Sequence, residues 1–111
     1  MGSEPIPGWR PEEVEKWYHE QPEESRLAQA FAAASNKFWW VEDDTYDYEK
    51  GTPEYEKARR LTDAWAMLMN KLENEIFDIL RSEGISIPET GRIKVLIPFM
   101  DRNGFFDGNG W

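Results

Sequence analysis

The sequence predicts an α+β domain, mainly α, in which a long antiparallel helical hairpin carries an N-terminal helix and a small C-terminal antiparallel β-hairpin or meander. Three observations predict this class. Residues 53–83 carry one apolar stripe at helical spacing, and the alanine-rich residues 23–41 carry another. Residues 85–104 instead contain two short apolar runs, 85–87 and 92–100, each followed by a turn, and the second turn ends in Asn103-Gly104, a strong hairpin signal.

The length and composition favour one compact domain over residues 1–111. Forty per cent of the residues are apolar, including six Trp and six Phe, which is enough to build a hydrophobic core. We expect residues 1–8 to form a flexible arm, residues 11–83 to form three helices and residues 84–111 to form a β segment.

The net charge of −9 at pH 7 bounds the classes of partner. A negative protein is repelled by the phosphates of nucleic acids and by anionic membrane surfaces. The chain has no cysteine, which excludes disulfides, thiolate zinc sites and cysteine nucleophiles. No apolar run approaches the roughly 18 residues of a membrane span, and the N-terminus lacks a signal-peptide core. We therefore expect a cytoplasmic protein that binds neither nucleic acid nor membrane and holds no cofactor.

The first two helices follow from proline positions and apolar spacing. Pro11 suits the first turn of a helix, and Pro22 ends or bends that helix. Residues 23–41 then place apolar side chains on several sides of the second helix, which predicts a central helix buried on several sides.

The third helix has the clearest boundaries. Thr52-Pro53 is an N-terminal signal, with a capping hydroxyl before a proline at the first position. Gly84 is predicted to be a left-handed C-terminal cap, with Ile85 folding back onto Leu80. The helix is longer than its partner, so the C-terminal segment or a second copy of the chain must cover its far end.

The C-terminal segment is interpreted as β structure. Ile93, Val95, Ile97 and Phe99 alternate onto one face of the predicted strand. Pro98 then marks an edge strand or a bulge, because proline cannot donate to a central ladder.

The stretch "NKFWWVEDDTYDYEKGTPEY", residues 36–55, is the main functional candidate. Three interpretations remain open. The acids near Asp43 pair across the turn with Arg59 and Arg60, the aromatic residues ringed by acids bind a partner, or the carboxylates hold a divalent metal. The predicted partner-binding residues, called the aromatic–acidic surface below, are Trp39, Trp40, Asp43, Asp44, Tyr46, Asp47 and Tyr48.

The tryptophan pair within this stretch admits two interpretations. Neighbouring residues on a helix point about 100° apart, so both indoles reach one core only if the helix is surrounded or has already ended. Burial of either one contributes roughly 2–3 kcal/mol, which makes burial the ordinary expectation. A binding surface instead requires at least one exposed indole.

Other motifs give weaker functional signals. Glu75 and Asp78 have the i,i+3 spacing of a magnesium-binding pair, but a solvated helix face explains them better. His19 is the single histidine and is expected on the surface, while residues 101–110 resemble a calcium loop only superficially. Met67 and Phe77 lie off the main stripe of the third helix, which suggests a homodimer contact.

We therefore predict a small acidic, non-enzymatic module for protein–protein interaction or regulation, which binds a basic protein partner through the aromatic–acidic surface. A nucleic-acid mimic is a special case of this prediction. The alternatives are a magnesium-dependent nucleotide phosphohydrolase and a purely structural homodimer.

Overall fold

A computed structural model describes residues 9–104 of the chain. Over these residues the chain forms four α-helices and no strand: α1 Pro11–Glu20, α2 Glu24–Thr45, α3 Pro53–Ser82 and α4 Ile93–Arg102. The prediction of an α+β class was therefore wrong, since the predicted β-hairpin is replaced by α4. The expectations for residues 1–8 and 105–111 lie outside the described residues. None of the described helices combines the length and apolar character needed to cross a membrane.

Helix α1 begins and ends as its sequence indicates. The Glu13 carboxylate accepts the backbone N–H of Arg10 at 3.0 Å, and Pro11 occupies the first turn. Val14 and Tyr18 are the side chains of α1 that enter the core. The aromatic Trp17 lies half-buried at the edge of that core.

Helix α2 is buried on several sides, as its alanine-rich sequence predicts. Residues 27–35 are buried except for Gln29, which is half-buried, because α1 and α3 both pack against this stretch. The helix then continues to Thr45, four residues beyond the predicted end. This extension places the acidic residues 42–44 in the last helical turn.

Helix α3 has the predicted caps. The Thr52 hydroxyl accepts the backbone N–H of Tyr55 at 3.2 Å. At the other end, Gly84 has a φ of +84° and the Ile85 N–H donates to the Leu80 carbonyl at 3.0 Å. These bonds satisfy carbonyl groups that a helix end otherwise leaves unpaired. At about 1.5 Å per residue, the 30 residues of α3 nearly match the 47 Å long axis of the molecule.

One apolar cluster joins side chains of all four helices, with α2 and α3 contributing equal numbers of its buried residues. The stripe predicted for α3 supplies Trp65, Leu68, Leu72, Ile76 and Leu80 to this core.

Phe77 was predicted to lie off the stripe of α3, but it is only 1% exposed. Phe77 belongs to the same apolar cluster as the buried residues of α4, and the guanidinium carbon of Arg92 lies 5.7 Å from the centre of its ring.

Helix α4 replaces the predicted strand because its burial follows helical spacing. Leu96, Phe99 and Met100 stand three and four residues apart and are at most 3% exposed. Of the residues that the strand pattern placed on one buried face, Ile93 is 49% exposed. Pro98 lies inside the helix, where its lack of an N–H removes one backbone bond. Proline inside a helix costs about 3 kcal/mol through the lost bond and the steric clash of its ring. Leu96, Phe99 and Met100 are all buried, and at roughly 1.5–3 kcal/mol each their combined burial exceeds that cost.

Asn103-Gly104 ends α4 instead of turning a hairpin. Gly104 has a φ of +85°, a left-handed conformation that suits a helix C-cap as well as a tight turn. The Asn103 side-chain amide donates to the Phe99 carbonyl and to Glu24, each at 2.9 Å. Asn103-Gly104 therefore ends a helix and does not form a hairpin turn.

An ion-pair network fixes the end of α4 against α2 and α3. Arg102 donates to both carboxylate oxygens of Glu24, at 2.7 and 2.9 Å. It also donates to both oxygens of Glu83, at 3.0 and 2.9 Å. We call these three residues the Arg102 clamp. The hydrogen bond to Arg102 holds the pKa of Glu24 below its usual value, and the two carboxylates raise the pKa of Arg102.

Candidate functional site

The helical half of the aromatic–acidic surface lies on the exposed side of α2. Trp39 is 58% exposed and Trp40 is 74% exposed, so the expectation that the core buries both indoles was wrong. Asp43 and Asp44 are exposed as well. Each aspartate follows a tryptophan by four residues, and side chains at that spacing are neighbours on a helix. Two aromatic residues and two carboxylates therefore share one face.

The remaining members of the surface lie in the turn between α2 and α3. Tyr46 is 78% exposed and Tyr48 is 44% exposed. Asp47, between them, is also exposed. The structure thus brings all seven predicted residues to one end of the α2–α3 hairpin, with their side chains open to solvent.

The acids of this end do not pair with the arginines that open α3. Arg59 instead lies 3.6 Å from Asp63 within its own helix. Between residues 9 and 104, no ion pair connects the acids of residues 42–44 with Arg59 or Arg60. The last turn of α2 also contains no basic residue. Negative charge at a helix C-terminus is unfavourable, and here nothing described offsets it.

Beside the surface lies a groove of about 410 Å³ that the sequence analysis did not predict. It is lined by Phe38, Glu42, Thr45, Tyr46, Tyr48, Lys50, Tyr55, Arg59, Thr62 and Asp63. The Phe38 ring meets Trp39 edge-on, with 5.4 Å between ring centres, which joins the groove to the exposed indoles. The predicted antiparallel hairpin could have indicated this groove, because it sets the first turns of α3 opposite the last turns of α2.

The candidate enzyme residues are engaged in separate structural contacts. Glu75 accepts a hydrogen bond from the Tyr18 hydroxyl at 2.8 Å and lies 3.9 Å from the His19 imidazole. Burial, with a further contribution from Glu75, raises the pKa of Tyr18. Asp78 instead pairs with Arg81 at 3.2 Å. Within the described part of the chain, no three acidic or imidazole side chains converge on a common point.

The two residues behind the homodimer prediction do not form a shared patch. Met67 is 73% exposed, whereas Phe77 is buried. A dimer contact on α3 thus loses one of its two apolar residues and stays a prediction for sedimentation analysis.

These observations define a class: a small acidic helical protein with an exposed aromatic–acidic surface at the turn end of its central hairpin. Comparison with protein-family models, with curated proteins and with solved structures found no match to the chain.

Proposed function

We propose that the protein is a non-enzymatic interaction module that binds a basic protein partner through the aromatic–acidic surface. The observation that carries this proposal is the exposure of Trp39 and Trp40, at 58% and 74%, beside carboxylates that have no ion-pair partner among residues 9–104. Two indoles facing solvent forgo the stabilisation that burial gives. A partner that covers both indoles supplies this stabilisation.

The residue types support a division of roles between affinity and association rate. Tryptophan is enriched among the few interface residues that carry most of the binding free energy. Asp43, Asp44 and Asp47, whose carboxylates form no ion pair within residues 9–104, add a negative field around those rings. Such a field accelerates encounter with a basic partner and makes binding sensitive to salt.

The first test removes the indoles. Trp39→Ala/Trp40→Ala should lose at least tenfold in affinity for its partner, since truncating one aromatic hot spot costs about 2 kcal/mol. The measurement is quantitative affinity capture from lysate, followed by titration of the captured protein in purified form. Met67→Ala is the matched control, because Met67 is 73% exposed on another helix.

The second test reverses charge. Asp43→Lys/Asp44→Lys should abolish capture, whereas Glu20→Lys/Glu23→Lys should retain it. Both variants change the net charge equally, but the control acids are exposed near the opposite end of α2. If all four variants capture the same proteins as wild type, the proposed function is wrong.

A further inference from the structure

The residues that line the groove between α2 and α3 suit a binding site for a single cationic side chain. Phe38, Tyr46, Tyr48 and Tyr55 supply aromatic rings to its lining. Aromatic rings attract cations through their negative faces, by about 0.5–1 kcal/mol at exposed sites and more where water is excluded. A volume of about 410 Å³ is within the range of ligand pockets and exceeds the needs of one side chain.

The charges that line the groove differ in how far they are already engaged. Arg59 lies 3.6 Å from Asp63 and donates to the Tyr55 hydroxyl at 3.5 Å, so this arginine and this aspartate largely offset each other. Lys50 stands in the exposed turn, where its long side chain can extend into water.

Glu42 is different from these residues. It is half-buried on α2, and its carboxylate has no ion pair with any residue from 9 to 104. Its position on the helix fixes it beside Phe38, four residues earlier. The groove thus presents one uncommitted carboxylate next to aromatic rings, at the acidic end of an acidic protein.

We propose that this groove receives an arginine side chain of the basic partner, an inference that rests on the proposed function and specifies its chemistry. The guanidinium is planar, stacks on aromatic rings and binds a carboxylate through two parallel N–H donors. A lysine ammonium is more strongly hydrated and presents no such plane. An arginine side chain can therefore pair with Glu42 and stack on the tyrosine rings at the same time. Trp39 and Trp40 contact the partner surface around this arginine.

The defined probe is a capped basic pentapeptide with a central arginine, compared with its central-lysine analogue. Binding is measured by NMR titration of the full chain, observing aromatic side chains and backbone amides. The arginine peptide should shift the resonances of Tyr48 and Tyr55, and Glu42→Gln should weaken its binding at least fivefold. Tyr48→Leu should weaken it about two- to fivefold, as expected for loss of one cation–π contact.

Glu49→Gln is the matched control, because it removes the same charge from the exposed turn outside the groove lining. It should change binding less than twofold. Equal effects of the two substitutions, or equal binding of the lysine peptide, would overturn the arginine assignment. Inorganic phosphate is titrated separately, and shifts of Tyr48 and Tyr55 by phosphate alone would also overturn it.

The same variants separate this inference from the proposed function. If Trp39→Ala/Trp40→Ala loses the captured partner while Glu42→Gln retains it at full affinity, the surface stands and the groove assignment is wrong. If neither the tryptophan nor the aspartate substitutions reduce capture, the proposed function itself is wrong.

Discussion

The two ends of the α2–α3 hairpin differ in whether their aromatic residues are buried and whether their acidic residues are paired. At the end where α4 packs, Phe99 is fully buried and Arg102 holds both Glu24 and Glu83. At the turn end, Trp39 and Trp40 face solvent and the neighbouring acids have no described basic partner. Aromatic rings and carboxylates are packed and paired at the α4 end, whereas those of the aromatic–acidic surface face solvent.

This difference distinguishes the end that stabilises the fold from the end that does not. The α4 end supplies buried apolar area and a closed ion-pair network, and both favour the folded state. The turn end retains exposed indoles and negative charge at a helix C-terminus, and both are unfavourable or neutral for folding. Features that do not stabilise the isolated chain are the ones expected to serve binding.

The largest predicted effect compares one aromatic residue from each end. Phe99→Ala should lower the free energy of unfolding by about 3–5 kcal/mol, because it leaves a cavity in the core. Trp40→Ala should change it by no more than about 0.5 kcal/mol, because the side chain is 74% exposed. Urea denaturation followed by circular dichroism measures both. A large loss of stability in Trp40→Ala would show that the turn end is structural and remove the contrast.

A smaller effect should follow from opening the Arg102 clamp. Arg102→Gln should cost about 1 kcal/mol at neutral pH, because its paired groups are partly exposed and water screens them. The lowered pKa of Glu24 sets the pH dependence. A lowered pKa in the folded state adds stability above the ordinary glutamate pKa of about 4.3, and this stability is lost as the pH falls.

The check is the difference in unfolding free energy between wild type and Arg102→Gln across the acid range. This difference should be full near pH 6 and should shrink below about pH 4. Burial raises the pKa of Glu73 in both proteins, so its opposite contribution cancels. Arg81→Gln, which removes the exposed pair with Asp78, is the control and should have a smaller effect. An acid-independent difference would contradict the role given to Glu24.

The helices of residues 11–83 could be predicted because local signals agreed with tertiary packing. Thr52-Pro53 and Gly84 marked the ends of α3, and the apolar stripe between them faces the core. The segment that became α4 carries two periods at once. Ile93, Val95, Ile97 and Phe99 alternate, while Leu96, Phe99 and Met100 follow a helix. The apolar cluster buries Leu96, Phe99 and Met100, which follow the helical period, and one sequence alone does not show which of two periods the core will bury.

The position of the candidate site in the chain could be inferred from the sequence, whereas its geometry could not, and its role in binding stays a prediction. The aromatic and acidic character of residues 39–48 is plain in the sequence, and it located the exposed end of the hairpin. The groove was missed because it depends on the register between α2 and α3, which sets Tyr55 and Asp63 beside Phe38. The interpretation in which Arg59 pairs with the turn acids was wrong, and Arg59 instead pairs with Asp63, one turn away on the same helix.

The last predicted effect is similar in size to that of the Arg102 clamp but opposite in sign, and it tests whether the charges at the turn end destabilise the fold. Asp43→Asn/Asp44→Asn should raise the free energy of unfolding by about 1 kcal/mol at low salt, because it removes two negative charges from the C-terminal turn of α2. Asp47→Asn/Glu49→Gln removes the same charge outside the helix and should stay within about 0.5 kcal/mol of wild type. The gain should shrink at high salt, since screening weakens the interaction with the helix dipole. If the Asp43→Asn/Asp44→Asn variant is more stable but binds its partner less well, these carboxylates serve binding and destabilise the fold. If the variant is less stable than wild type, the carboxylates have a structural role.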